Sequence, residues 1–332
     1  MASAITHQPH FVLIPLMAQG HMIPMIDMAR LFAERGVIVS LVTTPYNASR
    51  FQRAINQARG DGLPFRLVQL EFPCQEVGLP AGYENLDILP SRDLLRKFYK
   101  ALSMLQKPLE KHLEKETPPP TCIISDKCLS WTSITAQNFN IPRLVFHGMG
   151  CFSLLSSHNI KLHNAHNSVT SDSEPFVIPG LPHRIEITKA QLPGAFVTLP
   201  DLDDFRNKMQ EAESTAYGVV VNSFHELESE YIAEYEKAIK KKVWCVGPVS
   251  LSNKENSDKF EREKVGVLVK KDGVEKAIAM LMDGGEEGEK RREKARELGE
   301  VAKRALEKGG SSQLNMSFLI EDITKQSTHD KA

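Results

Sequence analysis

His10-Phe11-Val12-Leu13-Ile14-Pro15-Leu16-Met17-Ala18-Gln19-Gly20-His21-Met22-Ile23-Pro24 is the stretch that decides the fold. An apolar run rises from Phe11, breaks at Gln19-Gly20, and passes into helical spacing near Pro24. This is the pattern of a buried strand followed by a turn and a helix. Val37–Val42 repeats the strand pattern with β-branched residues, after a Gly36 that stops the first helix. Residues 65–72, 121–125, 143–146 and 218–222 read as further buried strands. Helical patterns separate them at 92–113, 129–138, 151–166 and 225–240, the first of these kinked at Pro108. Continuous apolar strands alternating with helices predict an α/β fold, with a parallel sheet covered by helices on both faces. In such a sheet, ligands bind outside the carboxyl ends of the strands. His21 is expected at that edge, in the first strand-to-helix turn, where an imidazole can serve as a general base.

Other regions read differently. Residues 168–200 look loop-like, with Pro175, Pro179, Pro182 and Pro193. Asn222 or Ser223 is the expected N-cap of the helix at 225. Residues 249–264 form a polar linker that separates a first domain, 1–248, from a C-terminal remnant, 265–332. That remnant reads as one short strand at 265–269 and three helices: 273–281, a highly charged one at 286–308, and a last one capped by Ser311 or Ser312. Ala295, Leu298, Ala302 and Ala305 form one stripe on the charged helix, whose other positions read as a solvated face.

Composition narrows the function. The 332-residue chain is 41% apolar and carries 41 basic against 42 acidic residues, a net charge of −1. That balance argues against nucleic acid or an anionic membrane as partner. Apolar runs fall short of the roughly 20 residues needed to span a bilayer. Residues 1–10 lack the basic-then-apolar pattern of a secretory leader. Cys74, Cys122, Cys128, Cys151 and Cys245 are odd in number and show no C-x-x-C spacing, which fits buried thiols in a cytoplasmic protein and gives no metal motif. A nicotinamide oxidoreductase would need G-x-G-x-x-G after the first strand, where only Gly20 stands, and a serine hydrolase would need G-x-S-x-G, which is missing.

A series of short words then carries a resemblance. They are Pro15-Leu16-Met17-Ala18-Gln19-Gly20-His21, Val42-Thr43-Thr44-Pro45, Ile123-Ile124-Ser125-Asp126 and Phe146-His147-Gly148 followed by Cys151-Phe152-Ser153. After these come Ile178-Pro179-Gly180-Leu181-Pro182, Val221-Asn222-Ser223-Phe224 with Glu226-Leu227-Glu228, and Val246-Gly247-Pro248-Val249. In this order the chain resembles plant family 1 UDP-glycosyltransferases, of a clade acting on flavonoids, cytokinins, steroids and triterpenoids.

The resemblance implies a GT-B fold of two Rossmann-like domains, the first holding the acceptor and the second the UDP-sugar. It implies that His21 is the catalytic base and that Asp126 orients and charges it. Gln19, Gly20 and Phe152 are implied at the acceptor, and His147 near the donor sugar. It further implies UDP-glucose as donor, no cofactor, and a lipophilic hydroxylated small molecule as acceptor, glycosylated with inversion.

The family's donor signature opens with tryptophan and contains His-Cys-Gly-Trp-Asn-Ser. The two tryptophans here, Trp131 and Trp244, lie elsewhere, and no His-Cys-Gly occurs. The expectation is therefore a truncated or internally deleted glycosyltransferase with impaired transfer, its seam near residues 261–264. The alternative is an inactive form that binds small molecules or associates with an intact relative. The last helix is expected to pack back on the first domain, leaving 286–308 loosely held.

Overall fold

The computed structural model describes residues 8–193, 196, 202–252 and 283–329. The seam near 261–264, the strand at 265–269 and the helix at 273–281 lie outside the described residues, as does all of the linker beyond 252.

Seven parallel strands form the main sheet: β1 (His10–Ile14), β2 (Ile38–Thr43), β3 (Phe65–Gln69), β4 (Cys122–Asp126), β5 (Arg143–His147), β8 (Gly218–Val221) and β9 (Lys242–Cys245). Their order is β3-β2-β1-β4-β5-β8-β9. Every residue of β1, β2, β4, β5 and β8 is buried, as a sheet covered on both faces requires. The chain adds strands outward from β1 on one side, then returns to place β4 on the other. That reversal makes the carboxyl ends of β1 and β4 the topological switch point, where an open α/β sheet leaves a crevice.

Several boundaries differ from the reading of the sequence. Helix α1 (Gln19–Ala33) starts at Gln19 rather than near Pro24, because the Ala18 carbonyl already accepts the His21 and Met22 amides at 3.0 and 2.9 Å. Pro24 therefore lies inside the helix, and His21 sits in its first turn rather than before it. The long helical stretch is two helices, α4 (Leu95–Met104) and α5 (Gln106–Leu113). It breaks at Leu105 so that Pro108 falls in a first turn, where a missing amide costs little. The proline-rich region contains a short antiparallel hairpin, β6 (Pro175–Val177) with β7 (Glu186–Thr188). Helices α2 (Pro45–Arg50), α3 (Gln52–Gly60) and α8 (Asp203–Ser214) stand where the sequence showed no clear periodicity. Ala212 is the only buried residue of α8. The remaining helices of this domain are α6 (Trp131–Asn138), α7 (Cys151–Leu162) and α9 (His225–Ile239).

The capping expectations also change. Phe224 takes the N-cap position of α9 with no side-chain cap, while the Asn222 carboxamide oxygen accepts the Val249 amide at 3.0 Å instead. Ser311 and Ser312 act as tethers at the start of the terminal helix Ser311–His329. The Ser311 hydroxyl donates to Glu226 at 2.7 Å and the Ser312 hydroxyl to the Gly247 carbonyl at 2.5 Å.

That terminal helix is docked. Met316, Leu319 and Ile323 are at most 1% exposed and belong to the main core cluster with Trp244 and Val246. Asp322 accepts from the Tyr217 hydroxyl at 2.8 Å and the Lys242 ammonium at 2.6 Å. Among the described residues, the charged helix Glu286–Leu306 packs on the first domain near its end, where Ala302 and Ala305 meet Phe224. Ala295 and Leu298, from the same stripe, are exposed. All five cysteines are free, and only Cys128 is more than marginally accessible.

Candidate active site

The site begins with β1 and β4 lying side by side, Ile14 in register with Ser125. Asp126 is the last residue of β4, one position beyond that pair, and α1 starts five residues after β1 ends. Two parallel strands thus bring residues 105 apart in the chain to one edge. His21 Nδ1–H donates to Asp126 Oδ2 at 2.5 Å. The other Asp126 oxygen accepts the Cys128 amide at 2.9 Å, which fixes the carboxylate in a two-residue turn.

The pair is asymmetric in exposure. The Asp126 side chain is 4% exposed and that of His21 is 44% exposed. Among the described residues His21 Nε2 has no hydrogen-bond partner. A buried carboxylate holding Nδ1–H fixes the tautomer that leaves the Nε2 lone pair facing outward. Burial alone would lower the His21 pKa. The Asp126 hydrogen bond and charge, aided by the nearby Asp87 carboxylate, outweigh it and raise the pKa above the ordinary 6.5. For Asp126, burial pushes the carboxyl up, but the His21 hydrogen bond and charge and the Cys128 amide overcome it and hold it below 3.8.

The loop before α4 closes over this corner. Asp87 Oδ2 accepts the Gln19 amide at 2.6 Å, and the Leu86 amide reaches the Met17 carbonyl at 2.7 Å. An acceptor on the first free amide of α1 also complements the positive end of that helix. Asp87 was not foreseen from the sequence, since nothing local marks a residue 68 positions away as a neighbour of Gln19.

The other expected site residues are distributed as follows. Gln19 is the first residue of α1, engaged through its backbone. A Cβ built on Gly20 meets nothing within 4 Å, so the protein itself does not demand glycine there and the space beside it is open. Phe152, in the first turn of α7, is 37% exposed, and its ring meets Tyr231 edge-on at 5.1 Å. His147 is the last residue of β5. Its side chain is 2% exposed and its Nε2 is bonded to Glu213 at 2.9 Å, so within the described residues it is committed to packing and to α8.

A cleft of about 520 Å³ is lined by Cys128, two residues beyond Asp126, together with Tyr99, Trp131 and Phe205; neither member of the pair lines it. Tyr99 and Phe205 stack obliquely at 5.9 Å. The cleft's walls mix aromatic and aliphatic side chains, Leu102 and Ile134 among them, with polar and charged ones such as Gln106, Lys208 and Glu211. Among the described residues, no group of three or more His, Cys, Asp or Glu is placed to hold a metal.

The parallel sheet matches what the family comparisons find. The glycosyltransferase N-terminal domain family matches residues 8–251. UDP-glycosyltransferase 73D1 of Arabidopsis thaliana is 60% identical over 258 residues, which are 77% of this chain and 51% of the relative. UDP-glycosyltransferase 73C3 of the same plant is 50% identical over 267 residues, covering 79% and 54% respectively. The crystal structure of Glycyrrhiza uralensis UGT73P12 complexed with glycyrrhetinic acid 3-O-monoglucuronide superposes with a TM-score of 0.85 at 24% identity, over 98% of each chain. Arabidopsis thaliana UGT89C1 complexed with quercetin gives 0.52 at 25% identity, over 73% of this chain and 50% of that one. The chain belongs to the plant family 1 UDP-glycosyltransferases, and its described fold is that of the GT-B enzymes of this family. It spans about half the length of the curated relatives it matches.

Proposed function

We propose that this chain is the acceptor-holding half of a UDP-glucose-dependent O-glycosyltransferase, with His21 as general base and Asp126 as the residue that orients it. The observation that carries the proposal is the 2.5 Å His21–Asp126 bond with Nε2 left open at the sheet's carboxyl edge. In the complete reaction, Nε2 removes the proton from an acceptor hydroxyl. The oxygen then forms a bond to the sugar's anomeric carbon from the face opposite the nucleotide. The bond to UDP breaks, UDP leaves with its electron pair, and the configuration inverts. Asp126 stabilises the imidazolium formed in between. A positioned base of this kind contributes roughly 10²–10⁴-fold to rate.

Gln19, Gly20 and Phe152 border the acceptor in this reading, a lipophilic hydroxylated molecule lying against the open Nε2 of His21, the free space beside Gly20 and the exposed Phe152 ring. No helix among the described residues is long and apolar enough to cross a membrane, and the free cysteines support a cytoplasmic setting.

Transfer also needs a held donor, because rate depends on both reactants being fixed in near-attack geometry. The His-Cys-Gly-Trp-Asn-Ser segment that would bind UDP-glucose does not occur in the sequence, and His147, the nearest donor candidate, is spent on Glu213. That favours a form with impaired transfer. It also favours a second reading, an inactive small-molecule binder or one that associates with an intact relative. Calorimetric titration of the full chain with UDP-glucose tests the impairment. No binding below millimolar concentration is expected, and a sub-millimolar dissociation constant overturns it.

A further inference from the structure

The word Glu226-Leu227-Glu228 plays no part in the proton transfer, yet its second glutamate makes an unusual long-range contact. Inside α9 the backbone at Glu228 leaves helical values (φ −149°, ψ 41°). Its carboxylate reaches the start of α7, where Oε1 accepts the Cys151 amide at 2.6 Å and Oε2 accepts the Phe152 amide at 2.9 Å. These are the first two amides of α7, which have no partner within their own helix. Three residues on, Tyr231 receives the Phe152 ring edge-on. Gly150 leaves room for the clamp, since a Cβ there would lie 2.7 and 2.9 Å from the two Glu228 oxygens. On the other side, Gly148 of the same turn faces Pro24 of α1, the helix that carries His21, with 3.9 Å between a built Cβ and the proline ring.

The segment also reaches the C-terminal helices. Phe224 seats Ala302 and Ala305, and Glu226 accepts from Ser311. Residues 222–228 therefore touch the docked helices at one end and the first turn of α7 at the other.

We propose that Glu228 is a positioning residue: its carboxylate clamps the first turn of α7 and thereby sets Phe152 as a wall of the acceptor space. This rests on the acceptor reading of the site given above. The clamp is a paired, charge-assisted contact on backbone donors, so it fixes a direction as well as a distance. Tyr231 then fixes the ring, and Phe152 keeps over a third of its surface open to a ligand.

Two variants break the clamp by different routes. Glu228→Ala removes the carboxylate. Gly150→Ala, whose backbone (φ −75°, ψ 166°) suits any residue, displaces it with the new methyl group. In the full chain, amide exchange at Cys151 and Phe152 is expected to quicken about 10- to 100-fold in either variant, the loss appropriate to hydrogen bonds with a charged acceptor. The double variant is expected to match the single ones, because both remove the same contact. Glu226→Gln, on the same segment, leaves those amides unchanged.

Fluorine-labelled Phe152 reads ring placement directly, and its resonance shifts in both clamp variants. Quercetin, a polyhydroxylated aromatic probe, is expected to bind roughly 2- to 10-fold more weakly to each, the range of one lost aromatic contact. That difference disappears in a Phe152→Ala background. Unchanged exchange and an unshifted resonance overturn the clamp. An affinity loss that persists without Phe152 overturns its role as the positioned wall. Wild-type chain that shows Glu228-dependent Phe152 placement but binds no quercetin supports the clamp and counts against the acceptor reading.

Discussion

Replacing Leu319 with alanine tests whether the terminal helix is a structural part of the sheet domain. Leu319 is 0% exposed, in the main core cluster between Met316 and Ile323. Three carbons are lost, worth about 2.4 kcal/mol at ~0.8 kcal/mol per buried methylene. Incomplete collapse of the cavity adds to this, and buried leucines cost about 2–5 kcal/mol in practice. We expect about 3 kcal/mol. Little of it is recoverable elsewhere, since the exposed tether between Lys242 and Asp322 is worth under about 1 kcal/mol. Hydrogen exchange resolved by peptide is the assay. Local opening of residues 311–326 is expected to rise about 10²-fold in Leu319→Ala, since each 1.36 kcal/mol is a factor of ten. Leu314→Ala is the control on the same helix, 41% exposed and expected to cost under about 1 kcal/mol. Equal exchange in the two variants refutes the docking argument. So does an acceleration spread evenly over β1 and β4, which would show global rather than local loss.

Two further outcomes follow from charge. Asp126→Asn removes the carboxylate that raises the His21 pKa, so the His21 midpoint followed by NMR is expected to fall. The His21 contribution to stability is complete below 6.5 and fades as pH rises through its raised folded value, so the stability gap between wild type and variant narrows across that range. A midpoint unmoved by the substitution contradicts the pairing. Glu110 is driven up by burial but held at about 2 by hydrogen bonds from Lys107, Gln106, Asn138 and Thr135, joining α5 to α6. Its contribution is present above 4.5 and lost as pH falls through about 2. Urea midpoints of Glu110→Gln are therefore expected below wild type at pH 6 and converging with it at low pH; a pH-independent difference counts against this.

The parallel sheet was legible from local patterns, and the family resemblance implied the His21–Asp126 pair that the sheet then makes possible. Apolar runs mark β1 and β4, and an edge residue of each needs only their adjacency to meet. What the sequence hid depends on loops. Asp87, Glu213 and Glu228 each reach partners 66–77 positions away, and no periodicity encodes such a reach. Helix α8 escaped notice because a helix burying one alanine has almost no apolar stripe to read. Pro24 misled because proline favours a helix's first turn, whereas here it stands six residues in, past amides already bonded to Ala18. His147 was placed by likeness to relatives, but its hydrogen bond is set by α8.

The packing of the last helix bears on how such a protein can be divided. The family's N-terminal domain ends at residue 251, a natural place to cut for expression. Yet β9 is an outer strand of the sheet, and the terminal helix lies against it and against Trp244. A fragment ending at 251 would lose the cover supplied by Met316, Leu319 and Ile323 and leave an apolar surface beside an outer strand, a known invitation to self-association. The evolutionary boundary and the boundary of the folding unit do not coincide here, and a soluble acceptor half has to carry its distant tail.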